Sequence, residues 1–570
     1  MSDERKGMRK GLTRYGDEGF SLYLRKSFIK AMGYTDDALE RPIIGIANTY
    51  SGYNACHASM PGIVEAVKRG VMLAGGLPIE FPTISLHESF AYPTSMFLRN
   101  LMSMDTEEMI RGQPMDAVVL VGGCDKTVPA LLMGAASAGV PAIVEVTGPM
   151  LTGTHQGERI GACTDCRRFW AKYRGGEIDA DEIESLTNKL VPTAGTCGVM
   201  GTASTMALMT EAMGMMLPGG GAIPATYADR PRHAEMTGTR AVALAADPIT
   251  PDQVMTEAAF RNALRVLNAI GGSTNGIVHT AAIAGRLGID IDLDEFDALG
   301  RDIPVLVDLK PTGQYYMEDL YRAGGLAPLL KELKPHLELD ALTITGRTLG
   351  EEIDAIPELH PQDVVRSHDN PLFPGGGMAV LRGNLAPDGA VIKQAAANPD
   401  LLSHEGRAVV FSSLEDLAAR IDDPDLDVEE GDVLVLQNSG PLGAPGMPES
   451  GYLPIPKKLA ERGVKDMVRI SDARMSGTAF GTIVLHIAPE AAAGGPLALV
   501  RNGDMIRLDV ANRQLELKVS AEELAVRRDA LPAFEPPEGA ERGYLNLFMR
   551  TVTQAPDGCD FDFLARDKSD

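Results

Sequence analysis

Three cysteines stand in turns built of small residues: Cys56 in NACH, Cys124 in GGCDK and Cys197 in GTCGVMG. A thiolate is a soft metal ligand or a nucleophile and a thiol is an acceptable core filler, so residue type alone leaves these three roles open. Asp125 and Lys126 follow Cys124 directly and put a carboxylate and an amine beside the thiol. Alone, such a turn reads as a small buried hydrophobe next to a surface ion pair. Two further carboxylates lie in comparable loops, Glu88 after His87 and Glu449 at the end of NSGPLGAPGMPE. Ser476 sits in RISDARMSGTAFGT; a Ser-Gly turn is ordinarily only a turn, and no G-x-S-x-G elbow surrounds it, so a hydrolase triad is not indicated. Ser273, Thr274 and Asn275 in GGSTN offer hydroxyls and the N–H groups of a helix start, which suits an anion cradle or plain N-capping. The ten histidines show no H-x3-H spacing, and none is assigned as a ligand.

These residues need elements to carry them. Residues 117–121, AVVLV, are a continuous apolar, β-branched run ending at Gly122-Gly123, as a strand buried on both faces requires. Pro129 is tolerated in a first helical turn, so an apolar helix is expected over 130–138, closed by Gly139, with the next strand at 141–146. In an open parallel sheet such strand–loop–helix units gather ligands beyond the carboxyl ends of the strands, where Cys124 falls. The pattern recurs: a strand at 42–48 before the Cys56 loop and a helix at 61–74, then a short strand at 83–86 before Glu88 and a helix at 92–104. Residues 158–190 read as charged helix, and helices are expected at 204–216 after Cys197 and at 277–287 after GGSTN. The fold class is therefore α/β, with an N-terminal parallel-sheet domain over 1–360. Residues 361–380, rich in His, Pro, Asp and Gly, read as a linker. Beyond them, β-rich runs at 408–411, 432–436, 467–470, 483–487 and 505–508 between Gly, Pro and Asp turns favour a β-barrel-like domain with flanking helices over 381–570. Glu449 and Ser476 lie in the second domain and the cysteines in the first, so a shared site would form where the two meet.

A chain of 570 residues is too long for one core, and its 44% hydrophobic and 23% charged content is that of an ordinary globular protein. The net charge of -25, with no basic tract, argues against nucleic acid as a partner. A small anionic substrate remains compatible if a metal ion or helix N-termini supply local positive charge. No apolar run approaches a membrane span and the charged N-terminus is unlike a secretion signal, so no membrane partner and a cytoplasmic location are expected. Six scattered cysteines do not make a disulfide framework.

Taken together, NACH, GGCDKTVPALLMGAAS, GTCGVMGTASTM, GGSTN, GAPGMPE and SDARMSGTAFG resemble, in order and across nearly the whole chain, the dihydroxy-acid and 6-phosphogluconate dehydratase family, which includes sugar-acid dehydratases. The resemblance implies that Cys56, Cys124 and Cys197 hold an iron–sulfur cluster, read as 2Fe-2S in preference to 4Fe-4S. It implies a magnesium site at Glu88, Asp125, Lys126 and Glu449, with Lys126 carbamylated to become an anionic oxygen donor, and Ser476 as base with Thr478 beside it. The implied reaction removes water from a 2,3-dihydroxy carboxylate to give a 2-keto-3-deoxy acid, in a homodimer or homotetramer. SDARMSGT looks more like the sugar-acid branch than the branched-chain dihydroxy-acid enzymes of valine and isoleucine synthesis. A non-catalytic iron–sulfur redox sensor is the reading from another class. Ala55, where Pro is common, and His87, where Gly often precedes the glutamate, depart from the pattern, so a different substrate-side wall is expected. Cys163 and Cys166, a lone C-x2-C pair, match no family ligand and read as structural or solvent-side thiols, and Cys559 reads as inert.

Overall fold

The computed structural model describes residues 6–566. Four short strands, β1 (Ile43–Asn48), β2 (Leu77–Pro82), β3 (Ala117–Gly122) and β4 (Ala142–Val146), run parallel in the order β2-β1-β3-β4. β3 and β4 are buried at every residue, as their unbroken apolar sequence requires. Helix Met60–Leu73 packs on helix Asp229–Ala246, and Ser95–Gly112 on Thr127–Ala138. The helix expected from 130 begins at Thr127, so Pro129 falls in the first turn, where a missing N–H has no intrahelical partner to lose. The second strand is Leu77–Pro82 rather than 83–86: Leu77, Pro78 and Phe81 are buried against β1, whereas Ser85 and Leu86 have left the sheet to accept hydrogen bonds from the Asn54 amide.

After a two-stranded hairpin, β5 (Gly153–His155) and β6 (Glu158–Ile160), eight strands close a barrel. They are β7 (Ala379–Gly383), β8 (Ala386–Ile392), β9 (Ser403–Phe411), β10 (Val433–Leu436), β11 (Arg469–Ser471), β12 (Ile483–Ala488), β13 (Met505–Asp509) and β14 (Gln514–Leu517). The circular order is β10-β11-β12-β8-β7-β14-β13-β9, parallel from β9 through β10 and β11 to β12, and mixed elsewhere. Closure leaves no exposed sheet edge. Its interior is filled by Leu381, Ile392, Val435, Ile470, Val484 and Leu515, a core separate from the one around β1–β4. The stretch between the sheet and the barrel is itself tied down: Val365 and Phe373 bridge to Val307 and Val305, and Arg366 pairs with Asp308 at 2.5 Å. No helix among the described residues is long and apolar enough to cross a membrane.

Candidate active site

Three of the four parallel strands deliver candidate residues past their carboxyl ends: Glu88 after β2, Cys56 after β1, and Cys124, Asp125 and Lys126 after β3. Cys197 joins them through Thr196, which bridges in parallel to Pro149 beyond β4. β1 and β3 are neighbours without being consecutive, so the winding of the sheet reverses between them, the place where such sheets leave a crevice. Cys56 and Cys124 flank that crevice. Gly123 has no alternative, because a Cβ there would fall 1.8 Å from Thr147 Oγ1. His57, fully buried, fastens the two cysteine turns together: its Nε2 accepts the backbone N–H groups of Gly123 and Cys124, both at 3.0 Å, and its Nδ1 lies 2.7 Å from the Thr49 carbonyl. A ring nitrogen that accepts two N–H groups carries no proton, so Nδ1–H donates to Thr49. Burial lowers this imidazole to about 4 and keeps it neutral.

The Cys56 thiol is pushed well above its ordinary range by hydrogen bonding with Cys124 and by burial, and Cys197 by hydrogen bonding with Cys163 and by burial. Such thiols ionise only when positive charge is brought to them, which is how a metal centre would be met. Among the described residues, the one set of three or more His, Cys, Asp or Glu ligand atoms within 4.8 Å of one another is Glu88, Asp125 and Glu449. The three cysteines are not gathered that tightly; their spread is wider than the spacing of three thiolates on one tetrahedral ion. Cys163, read from sequence as a bystander, lies with its Sγ 3.4 Å from Cys197 Sγ.

The acidic set is all oxygen, the donor type that a hard divalent cation requires. In its midst stands the fully buried Lys126 ammonium, hydrogen-bonded to Asp125 and lying 3.3 Å from Glu88 and 3.9 Å from Glu449. Burial and the Arg474 charge work to lower the Lys126 pKa, but the three carboxylates prevail and hold it above its usual value. Arg474, also buried, bridges two members of the set, 2.6 Å from Glu449 and 3.2 Å from Glu88. Against the cost of burial, Arg474 and Lys126 keep Glu88 well below the usual carboxylate range, whereas burial raises Glu449. The arrangement thus gathers three carboxylates around a site that already attracts cations.

Two barrel loops complete the site. The Pro/Gly loop ending at Glu449 is clamped by buried carboxyls: Ser439 N–H donates to Asp472 at 2.9 Å, and Leu442 and Gly443 N–H groups donate to Glu490 at 3.0 and 2.9 Å. Burial and the nearby Glu490 charge push Asp472 up to about 7. An acid with a raised folded-state pKa keeps its proton while the unfolded chain has lost it, so its stabilisation is full below about 4 and is lost as pH rises from about 4 to 7, at most about 1.4 kcal/mol per pH unit. Asp472→Asn is therefore expected to flatten this slope. In denaturant unfolding from pH 5 to 8, wild-type stability relative to the variant should fall with pH and level off near 8; a constant difference would contradict the assignment.

The loop between β11 and β12 carries Arg474, Ser476 and Thr478 onto the sheet half of the chain. Ser476 Oγ and Thr478 Oγ1 are 2.8 Å apart. Gly477 is held so closely that a Cβ would lie 2.5 Å from Ser273 Cβ and 3.0 Å from Thr202 N. Asn275 Nδ2 donates to the Met475 carbonyl and to Thr202 Oγ1, both at 3.1 Å, and Ser273 shares a 2.8 Å hydrogen bond with Thr202. The GGSTN residues are thus buried beneath the serine loop, with Ser273 and Asn275 occupied in docking it, while Thr274 Oγ1 is buried without a partner. Arg167 also reaches this loop, donating to Thr478 Oγ1 at 3.3 Å. Sequence reasoning missed His57, Arg167 and Arg474. The only signals available were their positions beside Cys56, Cys166 and Ser476.

This assembly can be set beside known proteins. Residues 41–352 match the family model described as dihydroxy-acid/6-phosphogluconate dehydratase N-terminal, and residues 363–559 match its C-terminal counterpart. The chain is 49% identical over 558 residues to L-arabonate dehydratase of Azospirillum brasilense, covering 96% of each chain. It is 47% identical to 6-deoxy-6-sulfo-D-gluconate dehydratase of Pseudomonas putida, covering 93% of this chain and 91% of the relative. A dihydroxy-acid dehydratase of Caldanaerobacter subterraneus subsp. tengcongensis is 40% identical, with 94% and 96% covered. The chain is a dehydratase and belongs to the dihydroxy-acid/6-phosphogluconate dehydratase family.

Proposed function

We propose that this enzyme dehydrates a sugar acid, a pentonate or hexonate with hydroxyls at C2 and C3, to the 2-keto-3-deoxy acid. The observation that carries the reading is the reach of the Ser476 loop: its Arg474 pairs with Glu88 and Glu449, and its Thr478 lies with Cys197 against Gly201. The preference for a sugar acid rests on similarity: 49% and 47% identity to relatives named for sugar-acid dehydration, against 40% to one named for dihydroxy acids.

Cys56, Cys124 and Cys197 would hold an iron–sulfur cluster of the 2Fe-2S type, and Glu88, Asp125 and Glu449 a magnesium ion. When bound, these groups supply Lewis acidity to the departing C3 hydroxide and to the carboxylate and C2 oxygen. Lys126, an ammonium standing among the three carboxylates, would oppose a cation there, whereas carbamylation would make it a fourth anionic donor. Arg474 bridges Glu88 and Glu449. Ser476 takes the proton from C2, and Thr478 shares a hydrogen bond with it. The enol that results has lost its C3 oxygen and becomes the keto acid by taking a proton at C3. The exposed rings of Tyr53, Phe90 and Tyr92 near Glu88 support a homodimeric or homotetrameric assembly that covers them, which light scattering would test.

The reading is tested by kcat/KM for a panel of aldonates and branched-chain dihydroxy acids with magnesium. An aldonate is expected to lead by at least about 100-fold, roughly 2.7 kcal/mol of discrimination. A branched-chain substrate in first place would overturn it.

A further inference from the structure

Serine is a very weak base, and the sequence offers no histidine beside Ser476 to help it. Helix Thr164–Arg174 supplies what is missing. Its first residue, Thr164, donates from Oγ1 to the Thr478 carbonyl at 2.9 Å and fixes the loop. One helical turn on, Arg167 donates from Nη1 to Thr478 Oγ1 at 3.3 Å, with its guanidinium carbon 5.5 Å from the centre of the Tyr452 ring.

Valence fixes the direction of these bonds once Ser476 has lost its proton. A guanidinium has donors only, so Thr478 Oγ1 accepts from Arg167. In its base form Ser476 Oγ carries no proton and can only accept, so the threonine proton then points to it across 2.8 Å. Thr478 N–H points to the same oxygen at 3.4 Å. Ser476 Oγ is thereby an acceptor twice over, and hydrogen bonds donated to an oxygen favour its deprotonated form. We infer that Arg167 is a positioning residue that acts through Thr478 to set Ser476 as the base. This rests on the dehydratase reading above and deepens it.

The other charged or titratable groups around the loop do not take this part. Lys393, buried just past β8, donates to the Gly477 carbonyl at 3.4 Å, and burial brings it down to about 7. Arg474 spends its charge on Glu88 and Glu449. Cys163 is hydrogen-bonded to Cys166 and lies 3.4 Å from Cys197, so these thiols face one another.

The test compares kcat, KM and pH profiles of Arg167→Gln, Arg167→Lys and Thr478→Val with wild type, at equal iron and magnesium content. For Arg167→Gln we expect kcat near neutral pH to fall about 100-fold with KM within about threefold, and the acidic limb of kcat to move up by at least about one pH unit, because removing a cation makes the hydroxyl harder to ionise. Arg167→Lys should recover part of the loss, as should added guanidinium ion in Arg167→Gln. Adding Arg167→Gln to Thr478→Val should cost little more than Thr478→Val alone, since both cut one relay. Should Arg167→Gln fail to fold, Thr478→Val alone must show the same limb shift. A raised KM with unchanged kcat would make Arg167 a substrate ligand, and an unmoved pH profile or full additivity would make it merely structural; each overturns the inference. Failure of the dehydratase reading is distinguishable, because then wild type itself forms no keto acid.

Discussion

Replacing Ser476 with alanine is expected to reduce keto-acid formation by at least about 1000-fold while leaving iron and magnesium content unchanged. General base catalysis alone accounts for about 100- to 10,000-fold in rate, and among the described residues Ser476 is the one hydroxyl hydrogen-bonded to Thr478 Oγ1. Alanine removes one hydroxyl and retains the docking made by the backbone: Asn275 bonds the Met475 carbonyl, and the closeness of Gly477 to Ser273 does not depend on the serine side chain. The melting temperature should therefore stay within a few degrees of wild type. A variant with wild-type turnover would remove Ser476 from the mechanism, and one that has lost its metal as well would show that the loop is a structural prop of the metal site.

The second large effect is expected at Cys124. Cys124→Ser keeps the backbone N–H that His57 Nε2 accepts and nearly the same volume, so the fold should persist. The oxygen is a hard donor where a soft one is needed, so anaerobically reconstituted variant should hold less than about a tenth of the wild-type iron, lack visible absorbance and form no keto acid. Asp125 and Lys126 follow directly, and disturbance of Cys124 should also weaken magnesium binding. Retention of wild-type iron and colour would remove Cys124 from the ligand set.

The parallel sheet was legible because short apolar runs bounded by glycine have few other uses in a long chain, and the cysteine-bearing turns follow from those runs. β7, β8 and β14 were not: APDGAVI contains proline and glycine, which read as a turn, and QLEL is too short to signal a strand. What the sequence could not reveal about the site is contact between residues distant along the chain. Arg474 meets Glu88, Arg167 meets Thr478, and Cys163 meets Cys197 only once the barrel and the sheet are brought together and the 158–190 segment folds back. GGSTN illustrates the same limit. Its hydroxyls suit an anion cradle locally, yet the incoming serine loop takes Ser273 and Asn275 for its own docking.

The most direct measurement gives anaerobically reconstituted wild-type protein a pentonate such as L-arabonate with magnesium and follows the 2-keto-3-deoxy acid over many turnovers. Steady formation of the keto acid, lost on chelation of magnesium and recovered on its return, is the predicted result. Protein that carries iron and sulfide yet yields no keto acid from any aldonate would contradict the account.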